Sequence, residues 1–258
     1  MPMYSSRRVL KTLYWLFFGG PTKRRRIRQE CARIAASLFG DFPISEDHKL
    51  WREDKEFLAE YQRLSPDNPY SQDRKFVLRE LARFTRDVPG CMAECGCYKG
   101  GSAYFMAKEN PDVPLHLFDS FEGLSEPNNK DLHSREDHWL WERGSLVATE
   151  EEARKTLSGF DHVVFHKGWI PDRFPEVKDE RFRLVHIDVD LYQPTLDSLE
   201  FFYPRMNSGG VIVLDDYGFT TCPGAYRATV EFTAKNLIYV LHLPTGQGII
   251  TPKSTRHA

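Results

Sequence analysis

The chain has 258 residues, of which 41% are hydrophobic and 28% charged, and a formal net charge of −2 from 35 Lys+Arg against 37 Asp+Glu. That balance excludes a disordered, collagen-like or multi-span membrane chain, and the length suffices for a full core without disulfide staples. The charge is uneven: residues 1–40 carry nine bases (Arg7, Arg8, Lys11, Lys23, Arg24, Arg25, Arg26, Arg28, Arg33) and one acid, Glu30. A basic arm therefore precedes an acidic remainder.

The apolar run at 9–18 is shorter than the roughly 20 residues needed to span a bilayer. The KRRRIR segment at 23–28 follows it without a small-residue cleavage site, which argues against a secretory signal. The arm is expected to pack as a terminal helix on its own domain or on a partner subunit of a homo-oligomer. Peripheral membrane contact through the arm is the weaker alternative, and nucleic acid is not an expected partner. Five cysteines are an odd and sparse set, which points to a reducing, cytoplasmic setting. Cys91, Cys95 and Cys97 have no second Cys or His cluster to complete a metal site and read as small apolar residues in and just after a buried strand.

Helical spacing follows in Ile27, Cys31, Ile34 and Leu38, then in Leu50, Phe57, Leu58 and Tyr61. The cluster 65–69 breaks the pattern, and Phe76, Val77, Leu81 and Phe84 mark a further helix ended by Pro89-Gly90. From residue 91 the texture changes. Apolar runs at 91–95, 115–118, 162–165, 182–189 and 211–214 alternate with helical stretches near 101–109, 149–157, 192–205 and 223–236. Two last strands, 237–243 and 248–250, are close enough to form a hairpin. This alternation predicts an α/β domain with a mainly parallel sheet and helices on both faces. The expected division is 1–88 as basic arm and helical extension and 89–258 as the α/β domain. The polar stretch 123–148 is long enough to be a lid or substrate loop. Its His133, His138, Trp139 and Trp141 could stack on an acceptor or be solvated loop residues in equal measure.

Ligands of open parallel sheets bind outside the carboxyl ends of the strands, and polar residues gather there. The first run leads into Glu94-Cys95-Gly96-Cys97-Tyr98-Lys99-Gly100-Gly101-Ser102, a glycine turn opening a helix. It is neither a dinucleotide fingerprint, because Tyr98 replaces the second glycine, nor a P-loop, because no Gly-Lys-Ser/Thr occurs. The second run ends at Asp119-Ser120, an acid placed to accept from ribose hydroxyls. Together these features predict an adenosine-containing ligand without a pyrophosphate. The fourth and fifth runs end in Asp188-Val189-Asp190 and Asp215-Asp216. Four carboxylates at adjacent strand ends repel one another unless neutralised, and a hard cation such as Mg²⁺ would do so. Strand alternation predicts that Asp188 and Asp190 face the same way. His186, inside the fourth run, reads as a buried strand residue.

The segments PGCMAECGCYKGGS, LHLFDSFEGL, HKGWIPDRF and VHIDVDLYQPTLDSLEFFYPRMNSGGVIVLDDYG resemble the macrocin O-methyltransferase (TylF) family, with the likeness running from about Pro89 to Gly218. The resemblance implies a Rossmann-like class I methyltransferase fold with a mostly parallel seven-stranded sheet. It implies S-adenosyl-L-methionine and Mg²⁺ as cofactors and a small-molecule hydroxyl acceptor, such as a vicinal diol on a natural-product sugar. By position, Asp188, Asp215 and Asp216 would hold the metal and Asp190 would be the general base. Glu94, Gly96, Ser102, Asp119 and Ser120 would surround the cofactor, with Lys167 and Gly168 towards its adenine. Ser125-Glu126-Pro127 departs from the family's more usual proline directly after Gly-Leu, and the basic arm is unusual for it. Alternatives are a nucleotide-sugar glycosyltransferase using Asp-x-Asp and a catechol-type O-methyltransferase.

Overall fold

The computed structural model describes residues 50–66, 71–132 and 141–253, with a few isolated positions before residue 32. The chain divides into two compact units, 1–54 and 55–258. The basic side chains of the arm, and His133, His138 and Trp139, lie outside the described residues.

The larger unit opens with two helices, α1 (Lys55–Leu64) and α2 (Gln72–Phe84). Strands and helices then alternate as β1 (Cys91–Cys95), α3 (Gly101–Glu109), β2 (Leu115–Asp119), α4 (Glu150–Thr156), β3 (Val163–Lys167), β4 (Phe182–Ile187), α5 (Tyr192–Phe202), β5 (Met206–Leu214) and α6 (Pro223–Asn236). A hairpin of β6 (Leu241–His242) and β7 (Gly248–Ile250) closes the order. The sheet reads β3-β2-β1-β4-β5-β7-β6. The first five strands are parallel, and β7 runs antiparallel between β5 and β6.

The central strands β1 and β4 are buried along their whole length, as expected for a parallel sheet covered on both faces. Successive residues serve opposite faces. Met92, Leu117, Leu184 and Val213 pack with Leu78 and Ala82 of α2 and Ala103 and Met106 of α3. Ala93, Phe118, Val185 and Ile212 pack with Leu199 and Phe202 of α5 and Phe232 of α6. The two-residue period of a strand thus builds two cores from continuous apolar runs.

One predicted strand is shorter than its apolar pattern. Residues 237–240 do not pair: Leu237 caps α6 in the left-handed region (φ 53°), and the strand is confined to Leu241–His242. The helix end must turn sharply towards the hairpin, and that overrides strand propensity.

Candidate active site

A cavity of about 630 Å³ opens at the carboxyl ends of β1, β2, β4 and β5. Among the residues singled out from sequence, Gly96, Ser102, Asp119, Ser120, Asp188, Asp190 and Asp216 line it. Glu94 and Asp215 have no exposed surface and sit behind the wall, and Lys167 and Gly168 lie off the cavity while Trp169 lines it.

The β1 and β2 side is a pair of turns held by one carboxylate. Gly96 has φ 81°, and a Cβ there would collide with the Asp188 carbonyl oxygen, so the residue lets the ends of β1 and β4 approach. Asp119 Oδ2 accepts from the backbone N–H groups of Cys97 and Tyr98, both at 2.9 Å. Its Oδ1 accepts from Phe121 N–H at 2.8 Å. Of roughly four acceptor positions on a carboxylate, the protein's own backbone fills three. Ser120 is a turn residue, donating to the Gly123 carbonyl at 3.2 Å and accepting from Glu122 N–H at 3.1 Å. Ser102, in the first turn of α3, is bonded by Lys75 Nζ. Gly168 N–H donates to the Asp119 carbonyl at 2.9 Å, and Lys167 pairs with Glu150 at 3.6 Å.

The β4 and β5 side is crowded with charge. The parallel ladder continues one residue past β4 and β5, with Asp188 N–H on Cys95 O and Asp215 N–H on Ile187 O, both at 2.9 Å. Beyond Asp188 the chain leaves the strand. Asp190 adopts a left-handed conformation (φ 58°), and its N–H donates to Asp216 Oδ2 at 3.0 Å. Strand alternation therefore does not orient Asp190, contrary to the expectation from Asp-Val-Asp. A tight turn brings it to the same cavity as Asp188 instead. Nor does Asp190 cap α5: the Tyr192 N–H is taken at 2.7 Å by the buried Asp131 of the long loop. The base of that loop is closed by Leu124 N–H on Ser145 O at 2.8 Å and Gly144 N–H on Leu124 O at 2.9 Å. Its Trp141 lines the cavity and donates to the Thr221 carbonyl at 3.0 Å.

Burial raises the pKa values of most of these carboxyls, and their mutual repulsion adds to it. Asp188 is pushed up by burial and Asp215, Asp190 to about 7 by burial and Asp188, and Asp216 well up by burial and Asp190. Asp215 goes the other way. Against the penalty of burial, Lys75, His186 and Arg74 hold it well below the usual carboxylate range. Arg74 Nη1 bonds Asp215 Oδ2, while His186 Nε2 lies 3.2 Å and Gln247 Nε2 2.8 Å from Oδ1. Lys75 Nζ is 3.7 Å from Asp188. His186 Nδ1 lies 2.8 Å from Glu94 Oε1, and the two carboxylates outweigh burial to raise the imidazole to about 9.

Counted as fully ionised, five acids (Glu94, Asp188, Asp190, Asp215, Asp216) face three cationic groups (Arg74, Lys75, His186), a formal excess of two negative charges that burial and mutual repulsion oppose. Ligand atoms of His186, Asp188 and Asp215 lie within 4.8 Å of one another, as do those of Asp190, Asp216 and Cys222. An oxygen-rich donor set with an excess of two negative charges fits a hard divalent cation.

Arg74, Lys75, Gln247 and Cys222 did not stand out in the sequence. Cys222 Sγ donates to Asp190 Oδ1 at 3.3 Å from the residue preceding α6. Arg74 and Lys75 belong to α2, ahead of the first strand, and a basic pair on a surface-like helix carries no local signal of a partner 141 residues away.

Comparison with known proteins agrees with this geometry. Residues 75–240 match the family described as macrocin O-methyltransferase (TylF). The chain is 31% identical over 159 residues to demethyldecarbamoylnovobiocin O-methyltransferase of Streptomyces niveus, covering 58% of this chain and 60% of that protein. It is 34% identical over 149 residues to 8-demethyl-8-(2,3-dimethoxy-alpha-L-rhamnosyl)-tetracenomycin-C 4'-O-methyltransferase of Streptomyces olivaceus, covering 54% of this chain and 57% of that protein. The alignment therefore spans under two thirds of these curated relatives. Among solved structures, a calicheamicin methyltransferase superposes with TM-score 0.61 at 19% identity, covering 81% of this chain and 99% of that one, so the fold is the Rossmann-like class I methyltransferase fold. The family match takes in α2 from Lys75 onward, β1 and β2 with their turns, and every carboxylate of the cavity, and on that ground the chain belongs to the macrocin O-methyltransferase (TylF) family.

Proposed function

We propose that this protein is an S-adenosylmethionine- and Mg²⁺-dependent O-methyltransferase acting on a hydroxyl of a vicinal diol on a natural-product sugar. The observation that carries the reading is the convergence of Asp188, Asp190 and Asp216 on one cavity with the Gly96–Asp119 turns. Curated relatives are named for methyl transfer to sugar-bearing natural products, which supports the acceptor class.

When bound, S-adenosylmethionine supplies an activated methyl group and Mg²⁺ the Lewis acidity that makes an alcohol a competent nucleophile at neutral pH. Asp188, Asp215 and Asp216 are the residues that would hold the cation. The Gly96 turn, which lines the cavity, would lie beside the amino-acid end of the cofactor. Asp119, with acceptor capacity left after three backbone bonds, takes a ribose hydroxyl. Asp190 would accept the proton of the acceptor hydroxyl at its carboxylate. Trp141, Trp169 and Phe219 supply apolar wall that limits water around the acceptor.

The test is transfer of labelled methyl to a panel of vicinal-diol acceptors with and without Mg²⁺. Turnover is expected only with the cation, and undiminished turnover after exhaustive EDTA treatment would contradict the aspartate site. Calorimetry with nucleotide sugars in place of S-adenosylmethionine separates the glycosyltransferase alternative.

A further inference from the structure

Beneath the cavity, three residues without exposed surface form a row across three strands. Glu94 of β1 and His186 of β4 are register partners, and Asp215 follows β5. His186 Nδ1 faces Glu94 Oε1 at 2.8 Å, and its Nε2 faces Asp215 Oδ1 at 3.2 Å. None of the three lines the cavity. Gln247, also fully buried, donates to the same Oδ1 at 2.8 Å. With Oδ1 clamped from behind, Oδ2 is the oxygen presented to Arg74, which does line the cavity.

We propose that His186 is a positioning residue: it clamps Asp215 so that Oδ2 is held towards the cavity-lining Arg74, and through Glu94 it steadies the strand end two residues before the Gly96 turn. The inference rests on the reading of Asp215 as a cation ligand. A histidine that merely filled the core would pack its ring nitrogens where no charge depended on them. Here each nitrogen faces a different buried carboxylate. Among the described residues Glu94 Oε2 has no hydrogen-bond partner, so the His186 contact is the bond that side chain relies on. Removing the ring strands two buried acids at once, and such losses are costly because no water replaces them. Groups that orient a metal ligand from behind commonly change metal affinity by about 10- to 100-fold when altered.

The two ends can be tested apart. A glutamine amide nitrogen reaches about where Nε2 lies, and an asparagine amide nitrogen about where Nδ1 lies. His186→Gln therefore keeps the donor to Asp215 and loses that to Glu94, and His186→Asn does the reverse. Titration of the full chain with MgCl₂ alone, and separately with S-adenosylmethionine, is the measurement. His186→Asn is expected to weaken Mg²⁺ binding by about tenfold and leave cofactor affinity within about twofold. His186→Gln is expected to keep Mg²⁺ affinity within about twofold and weaken the cofactor instead. Gln247→Leu, which releases Asp215 Oδ1 without touching Glu94, is expected to follow His186→Asn and serves should either histidine variant fail to fold. Equal loss of Mg²⁺ affinity in both histidine variants, or loss in neither, overturns the inference while leaving the cation reading in place. No Mg²⁺ uptake by the wild-type chain removes the cation reading and the clamp's role with it.

Discussion

The two sides of the cavity solve opposite electrostatic problems. On the β1 and β2 side a single acid, Asp119, accepts hydrogen bonds from three backbone N–H donors and ties the two turns together. On the β4 and β5 side burial, reinforced by the neighbouring aspartates, makes Asp188, Asp190 and Asp216 resist ionisation. The first side is built to receive a molecule whose recognition is mostly shape and hydrogen bonding. The second is a crowd of buried acids whose ionisation a bound cation would favour, and on the function proposed above that difference divides the labour between binding the methyl donor and activating the acceptor.

Substitutions on the two sides should separate these effects. The largest effect is expected for Asp190→Asn, which should lower turnover by about 10²- to 10⁴-fold, the range for losing a general base, with S-adenosylmethionine affinity by calorimetry unchanged. Near-normal turnover would remove Asp190 from proton transfer. Gly96→Ala comes next. Its Cβ has nowhere to go but into the Asp188 carbonyl, so both sides should suffer together, with cofactor affinity and melting temperature falling in the same variant. A normal cofactor affinity there would show that the two sides are less tightly joined than the turn suggests.

Arg74→Met sharpens the comparison from the other side. The guanidinium occupies Asp215 Oδ2, so its removal frees an oxygen and deepens the charge excess. Mg²⁺ affinity should rise by a few-fold, of the order of one screened charge interaction near a protein surface, while cofactor affinity stays put. A fall in Mg²⁺ affinity would mean that Arg74 orients Asp215 rather than competing for it.

The smallest effect lies outside both sides. His116 of β2 is buried beside His166, at 2.9 Å between ring nitrogens, and burial together with His166 lowers its pKa from the usual 6.5. Its folded state excludes a proton that the unfolded chain accepts. Stability should therefore be level above about pH 6.5 and decline as the pH falls below it, until the folded pKa is passed. Denaturant midpoints measured between pH 5 and 8 check the sign, and His116→Phe should flatten the decline.

Much of the fold was legible because it is written in short-range patterns. Residues 101–109 and 223–236 form helices where the spacing predicts them, and five apolar runs became the five parallel strands. The carboxylates after runs four and five announced the site because an acid next to a buried strand needs a reason. Errors arose where a local rule met a turn. Asp190 left strand geometry through a positive φ, and 237–240 lost their pairing to a helix cap.

What the sequence determined by itself was the order of strands and helices, the glycine turn, and which carboxylates stand at strand ends, because hydropathy period and turn chemistry act over a few residues. Only the tertiary structure decided how those charges are balanced. Arg74 reaches Asp215 across 141 residues, His186 reaches Glu94 across 92, and Gln247 arrives at Asp215 from the final hairpin. Hydropathy marks His186 only as a member of a buried strand and Gln247 only as a residue before the last one, and nothing in a residue's neighbours names the acid it will face. Parallel strands place their carboxyl ends side by side whatever their separation along the chain. The electrostatics of this site therefore belong to the sheet's order rather than to any motif within it.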